Sequence, residues 1–121
     1  GKGLDDALRR ADAYVAAGAG AVMIHSREKE PDEIFAFIDS FSQSHPHVPI
    51  VAVPTSYNKV YDTEMQAHGV KMVIYANHML RASYKAMEQT ARSILEHGRT
   101  AEIEDDMMTI KQILKLIPGT V

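Results

Sequence analysis

An α/β fold on parallel strands, and within that class part of a (β/α)8 TIM-type barrel rather than a whole one, is what this sequence predicts. Three observations carry the prediction. Short apolar runs at 21–24, 50–53 and 72–75 each stop abruptly at polar residues, namely His25-Ser26, Thr55-Ser56-Tyr57 and Asn77-His78. Thr55 follows His25 by 30 residues and Asn77 follows Thr55 by 22, each the length of a βα unit. Three such units are too few for the eight strands of a closed barrel or the roughly five or more of a doubly wound sheet. A half-barrel with an internal start accounts together for the 121 residues, for Gly1 in place of an initiator methionine and for the strand count. Residues 1–121 are therefore expected to be a single fragment, the C-terminal half of a barrel domain.

The composition is that of an ordinary globular domain, 45% hydrophobic and 24% charged. A formal charge of −3, spread along the chain, is the opposite of the clustered Lys and Arg that a nucleic-acid surface needs. The absence of cysteine excludes disulfides and thiolate metal sites and suits a reducing cytoplasm. No apolar run approaches the roughly 20 residues of a membrane span, so neither nucleic acid nor membrane is an expected partner.

Asp5 and Asp6 complement the N-terminus of a first helix in which Leu4, Leu8, Ala11 and Val15 recur at helical spacing, and Gly18 supplies its stop. The first strand comes after Gly20. Arg27-Glu28-Lys29-Glu30 reads as a solvated loop. Pro31, Asp32 and Glu33 suit the first turn of a second helix, whose stripe of Ile34, Phe35, Phe37, Ile38 and Phe41 is what a helix covering a sheet requires. Pro49 marks the entry to the second strand.

A short helix around 63–67 closes at His68-Gly69, where His68 reads as a charge partner for the helix C-terminus. The third strand reads as buried. Tyr84, Met87, Ala91, Ile94 and Leu95 then give a helix ended by Gly98. A polar stretch over 100–106 leads to a last helix, where Thr109 and Gln112 form a capping box and Ile110, Ile113, Leu114 and Ile117 the stripe, with Pro118-Gly119 as terminator.

Ligands in parallel α/β folds bind at the carboxyl ends of strands, where the loops face helix N-termini. That rule makes His25, Thr55, Asn77 and His78 the candidate site residues, expected on one common face. His45-Pro46-His47 has the spacing of a metal chelate. It precedes a strand, however, which puts it on the opposite face, and no carboxylate stands near it in the sequence to complete a ligand set.

The strings AVMIHS, VPIVAVPTSY and GVKMVIYANHMLRAS resemble, in order and spacing, the last three strands of the phosphoenolpyruvate mutase family in the isocitrate lyase superfamily. The opening GKGLDDALRRADAYVAAGAGAVMIHS is similar to the helix that family places between its fifth and sixth strands, and EDDMMTIKQI to its C-terminal helices. The resemblance covers essentially the whole chain but only the C-terminal half of the family's barrel. It implies an enzyme that moves a phosphoryl group between the enol oxygen of phosphoenolpyruvate and C3 of phosphonopyruvate, making a carbon–phosphorus bond, with Mg²⁺ holding the oxoacid. By the same resemblance the magnesium-supporting acids, the gating loop and a substrate-binding arginine lie on strands before Gly1, so no metal ligand is expected in this chain. His25 matches the family's sixth-strand histidine, whose role is to contact the reacting substrate.

The resemblance also implies a homo-oligomer that exchanges C-terminal helices. Phosphonopyruvate hydrolase, or another carbon–carbon or carbon–phosphorus lyase of the superfamily, is the related alternative. A non-catalytic βα assembly module is the alternative of another class.

Overall fold

The computed structural model describes residues 2–117 and 119. They fall into two compact units, Gly1–Ala76 and Asn77–Val121.

The first unit alternates helix and strand: α1 (Leu4–Ala16), β1 (Val22–Ile24), α2 (Asp32–Ser44), β2 (Ile50–Ala52), α3 (Asp62–Ala67) and β3 (Val70–Val73). The strands pair in the order β1-β2-β3, all parallel, as the βα spacing requires. Val22 sits opposite Ile50 and Ile24 opposite Ala52, so β1 and β2 end level with each other. Gly18 closes α1 at φ 95°, a conformation that costs a side-chain-bearing residue about 1 kcal/mol or more.

The predicted α2 stripe is the centre of the core. Ile34, Phe37, Ile38 and Phe41 are fully or almost fully buried and join Ala11, Val22, Ile50, Ala52, Met65 and Val70 in one cluster. Phe35, the fifth member of the stripe, packs against the cluster from its margin. It is half-buried and stacks flat on the His68 ring, with centroids 3.9 Å apart at 6°.

Two histidine–carboxylate pairs tie the helices together. His45 Nε2 lies 2.8 Å from Asp12 Oδ1, joining the end of α2 to α1, and His68 Nδ1 lies 2.9 Å from Asp39 Oδ1, joining the end of α3 to α2. His45 therefore does have a carboxylate neighbour. It was invisible along the chain because 33 residues separate the partners. His68 stands at the helix C-terminus as expected, but a side chain on another helix engages its ring.

The third strand departs from expectation in both register and burial. It occupies Val70–Val73 rather than 72–75, and Ile74 donates one more bond to the Ala52 carbonyl at 2.9 Å. The ladder offered by β2 decides where pairing starts, and an irregularity between Ile50 and Val51 leaves Lys71 as an extra residue. Among the described residues β3 is an edge strand, and Met72 on it and Tyr75 just beyond it are more than half exposed.

Tyr57 is wholly buried after β2, yet among the described residues its hydroxyl has no hydrogen-bond partner of sound geometry. Burial pushes the phenol above its ordinary value, with the Val53 backbone pulling the other way. An unpaired buried hydroxyl is a net cost. Tyr57→Phe is accordingly expected to raise the unfolding free energy by about 1 kcal/mol in urea denaturation. A loss of stability instead would show that the hydroxyl is partnered, by the Val53 backbone or by a group beyond the described residues.

The second unit contains α4 (His78–His97), a 3₁₀ turn at Glu104–Asp106 and α5 (Ile110–Leu114). Gly98 ends α4 in the left-handed region at φ 65°, its N–H bonded to the Ile94 carbonyl. The Thr109–Gln112 capping box forms in both directions. The final helix is shorter than its stripe, since it stops at Leu114 and leaves Ile117 beyond it. Pro118, expected as part of the terminator, lies outside the described residues. No helix among the described residues is long and apolar enough to cross a membrane.

Candidate active site

Parallel pairing with level ends places the residues after β1 and those after β2 on the same edge of the sheet. His25 comes directly after Ile24, the last ladder residue of β1, and is exposed. Thr55 lies three residues beyond β2, in a tight turn where its N–H donates to the Val53 carbonyl at 2.8 Å, and it is half-buried. Two of the four candidate residues thus stand on one sheet edge.

The other two belong to the second unit. Asn77 is the residue before α4, and its carbonyl accepts the Arg81 N–H at 3.0 Å. Its side chain caps nothing, and Oδ1 is buried without a hydrogen bond among the described residues. His78 is the first helical residue and half-buried.

His25 opens onto a cleft of about 460 Å³ lined also by Ser26, Arg27, Glu28 and Glu33. Ser26 is buried: its hydroxyl donates to Glu33 Oε2 at 2.7 Å and accepts the Glu28 N–H at 3.0 Å. The loop 27–30 is exposed throughout, as its charge run predicts, and Arg27 and Glu28 also form part of the cleft wall. Glu33 was legible only as a helix-dipole residue; its reach back to the strand end depends on how α2 packs, which no local pattern encodes.

Imidazole and guanidinium N–H groups at a strand terminus can donate to the oxygens of a tetrahedral or planar oxoanion, and phosphoryl transfer is catalysed mainly by such positioning and charge stabilisation. The cleft is suited to that chemistry. It is less suited to a divalent cation. Mg²⁺ demands near-octahedral oxygen ligation. Among the described residues no three His, Asp or Glu side chains converge, and of the two cleft carboxylates Glu33 is already engaged by Ser26.

Residues 1–95 match the family model described as phosphoenolpyruvate phosphomutase. The phosphoenolpyruvate phosphomutase of Tetrahymena pyriformis is 40% identical over 116 residues, covering 96% of this chain and 38% of that protein. Among solved structures, the phosphoenolpyruvate phosphomutase of Streptomyces platensis subsp. rosaceus superposes with a TM-score of 0.88 at 44% identity over 96% of this chain and 39% of the other. A phosphonopyruvate hydrolase solved as a complex with oxalate and Mg²⁺ gives a TM-score of 0.83 at 39% identity over 94% of this chain and 40% of the other. The chain therefore spans about two fifths of the length of the relatives it matches. Its fold corresponds to about three βα units and the following helices of their (β/α)8 barrel.

Proposed function

The chain belongs to the phosphoenolpyruvate phosphomutase family, and from that premise we propose that it is the C-terminal part of a single barrel domain that interconverts phosphoenolpyruvate and phosphonopyruvate. The reaction forms or breaks a carbon–phosphorus bond and would serve phosphonate biosynthesis in the cytoplasm. The observation that carries the reading is His25, exposed at the carboxyl end of a parallel strand beside Arg27 in a polar cleft. Its N–H would donate to the migrating phosphoryl group, with Thr55 beside it on the same sheet edge. Mg²⁺, as in the hydrolase complex with oxalate, would orient the oxoacid through ligands supplied outside this chain.

The near-equal likeness to a phosphonopyruvate hydrolase makes hydrolysis the second reading. One experiment separates the two. The intact protein is incubated with phosphonopyruvate and Mg²⁺ and followed by phosphorus NMR. The expected result is the phosphoenolpyruvate resonance, approached from either substrate and lost on chelation. Inorganic phosphate with pyruvate would establish the hydrolase, and no turnover of either kind would leave the assembly module standing.

We further infer that the protein is a homo-oligomer in which a second copy covers the second unit through exchanged C-terminal helices. Supporting this, Met79, Leu80 and Leu95 of α4 and Ile110 and Ile113 of α5 are exposed, and an apolar groove of about 510 Å³ includes Met87, Ile94, Met107 and Met108. Apolar patches of this kind mark association surfaces. Light scattering of the intact protein is expected to give a multiple of the chain mass; a monodisperse monomer would overturn the inference.

A further inference from the structure

We propose that Ser26 and Glu33 form a positioning pair for His25, clamping the backbone on its far side so that the imidazole is held at the strand end. The inference rests on the reading of His25 as the substrate-contacting group. Among the described residues no hydrogen bond orients the His25 ring, so its place is set by the chain on either side of it. On one side Ile24 is paired opposite Ala52 in the ladder. On the other, Ser26 is buried, 6% exposed, and both capacities of its hydroxyl are used: it donates to Glu33 Oε2 at 2.7 Å and accepts from the Glu28 N–H at 3.0 Å.

A chain that needed only to fill this space would be served by alanine, which has no polar group to satisfy. A hydroxyl tied to a carboxylate makes a charge-assisted bond, shorter and stronger than a neutral one, and directional. It joins the residue after His25 to the first turn of α2, whose buried face is the core itself. The rigidity of that helix is thereby transmitted to the strand end. Catalytic positioning is sensitive to such support, because a displacement of about 1 Å costs about 100-fold in rate.

The test compares Ser26→Ala, Ser26→Thr, Glu33→Ala and the double Ser26→Ala/Glu33→Ala variant with the parent and with His25→Ala, all in the intact protein. The readouts are kcat and KM for the oxoacid interconversion and the nitrogen-15 resonances of the His25 ring. Ser26→Ala and Glu33→Ala are each expected to lower kcat about 10-fold with KM changed less than about threefold. The double variant is expected to be no worse than either single one, as for two halves of one device. Ser26→Thr, which keeps the hydroxyl, is expected to restore at least half the activity.

Wild-type kcat in Ser26→Ala while His25→Ala is crippled would overturn the positioning pair and leave the site reading intact. Unimpaired turnover by His25→Ala would overturn both. If the intact protein turns over neither oxoacid, the ring resonances decide: broadened or shifted signals in Ser26→Ala, restored in Ser26→Thr, support the clamp, and unchanged signals reject it.

Discussion

Phe41→Ala is expected to destabilise the protein by about 4 kcal/mol, a large part of the roughly 5–15 kcal/mol by which a domain is usually stable. Phe41 is fully buried at the middle of the core, with its ring against Phe37 at 5.5 Å and 9° and against His45 at 4.9 Å. Truncation removes the transfer energy of the ring and leaves a void, because α2 is held by Ile34, Phe37 and Ile38 on the same face and cannot collapse into it. The loss has a second component. The His45 imidazole rests on Phe41 while its Nε2 engages Asp12, so the bond that fastens α1 to the end of α2 loses its support in the same step. Urea unfolding of the two proteins measures the sum. Tyr61→Ala, at a side chain 76% exposed, is the matched control and should shift stability by no more than about 0.5 kcal/mol. A Phe41→Ala penalty below about 1 kcal/mol would show that this helix face is not the core.

Phe41 was legible as core before any coordinates, and the reason separates what the sequence encodes from what it does not. A stripe repeating at helical spacing and an apolar run cut off by a polar pair are local patterns, so the α2 face, the three parallel strands and the Thr109–Gln112 cap could all be read from neighbours along the chain. The misreadings concern partners that only packing brings together. The ends of β3 follow the ladder available on β2, not the apolar content of the run at 72–75. Asp12 with His45 and Asp39 with His68 are separated by 33 and 29 residues, and nothing local announces either pair. At the site, the polar stop at His25-Ser26 was visible, whereas Glu33 closing on Ser26 needs the return of α2 over the end of β1. Charge patterning gave Glu33 only a dipole role. Both descriptions hold, since a carboxylate in the first turn is stabilised by the helix and presented by it to the strand end.

The largest expected effect is on activity: the 121-residue chain produced alone should show no detectable interconversion of phosphonopyruvate and phosphoenolpyruvate, whereas the intact protein turns over and its His25→Ala variant loses about 100- to 1,000-fold in kcat. The argument is an inventory of parts. Phosphoryl transfer needs donors at the migrating group and a cation on the oxoacid, acting on substrates held in line. On the proposed reading this chain would offer the first through His25 and Arg27, which line one cleft. For the second, no three His, Asp or Glu side chains converge among its described residues. The sheet adds a structural reason. Among the described residues β1 and β3 each have a strand neighbour on one side only, so the carboxyl edge that carries His25 is flanked by unpaired strands that further barrel strands would cover. A transition-state donor is effective in proportion to the exclusion of water around it, and an open edge leaves His25 solvated. Phosphorus NMR with Mg²⁺ present, run on the isolated chain, the intact protein and its His25→Ala variant at equal concentration, reads all three. Turnover by the isolated chain would show that the inventory is complete without further strands. A His25→Ala protein within about threefold of the parent would remove His25 from the reaction, and with it the reason for placing the phosphoryl group at the end of β1.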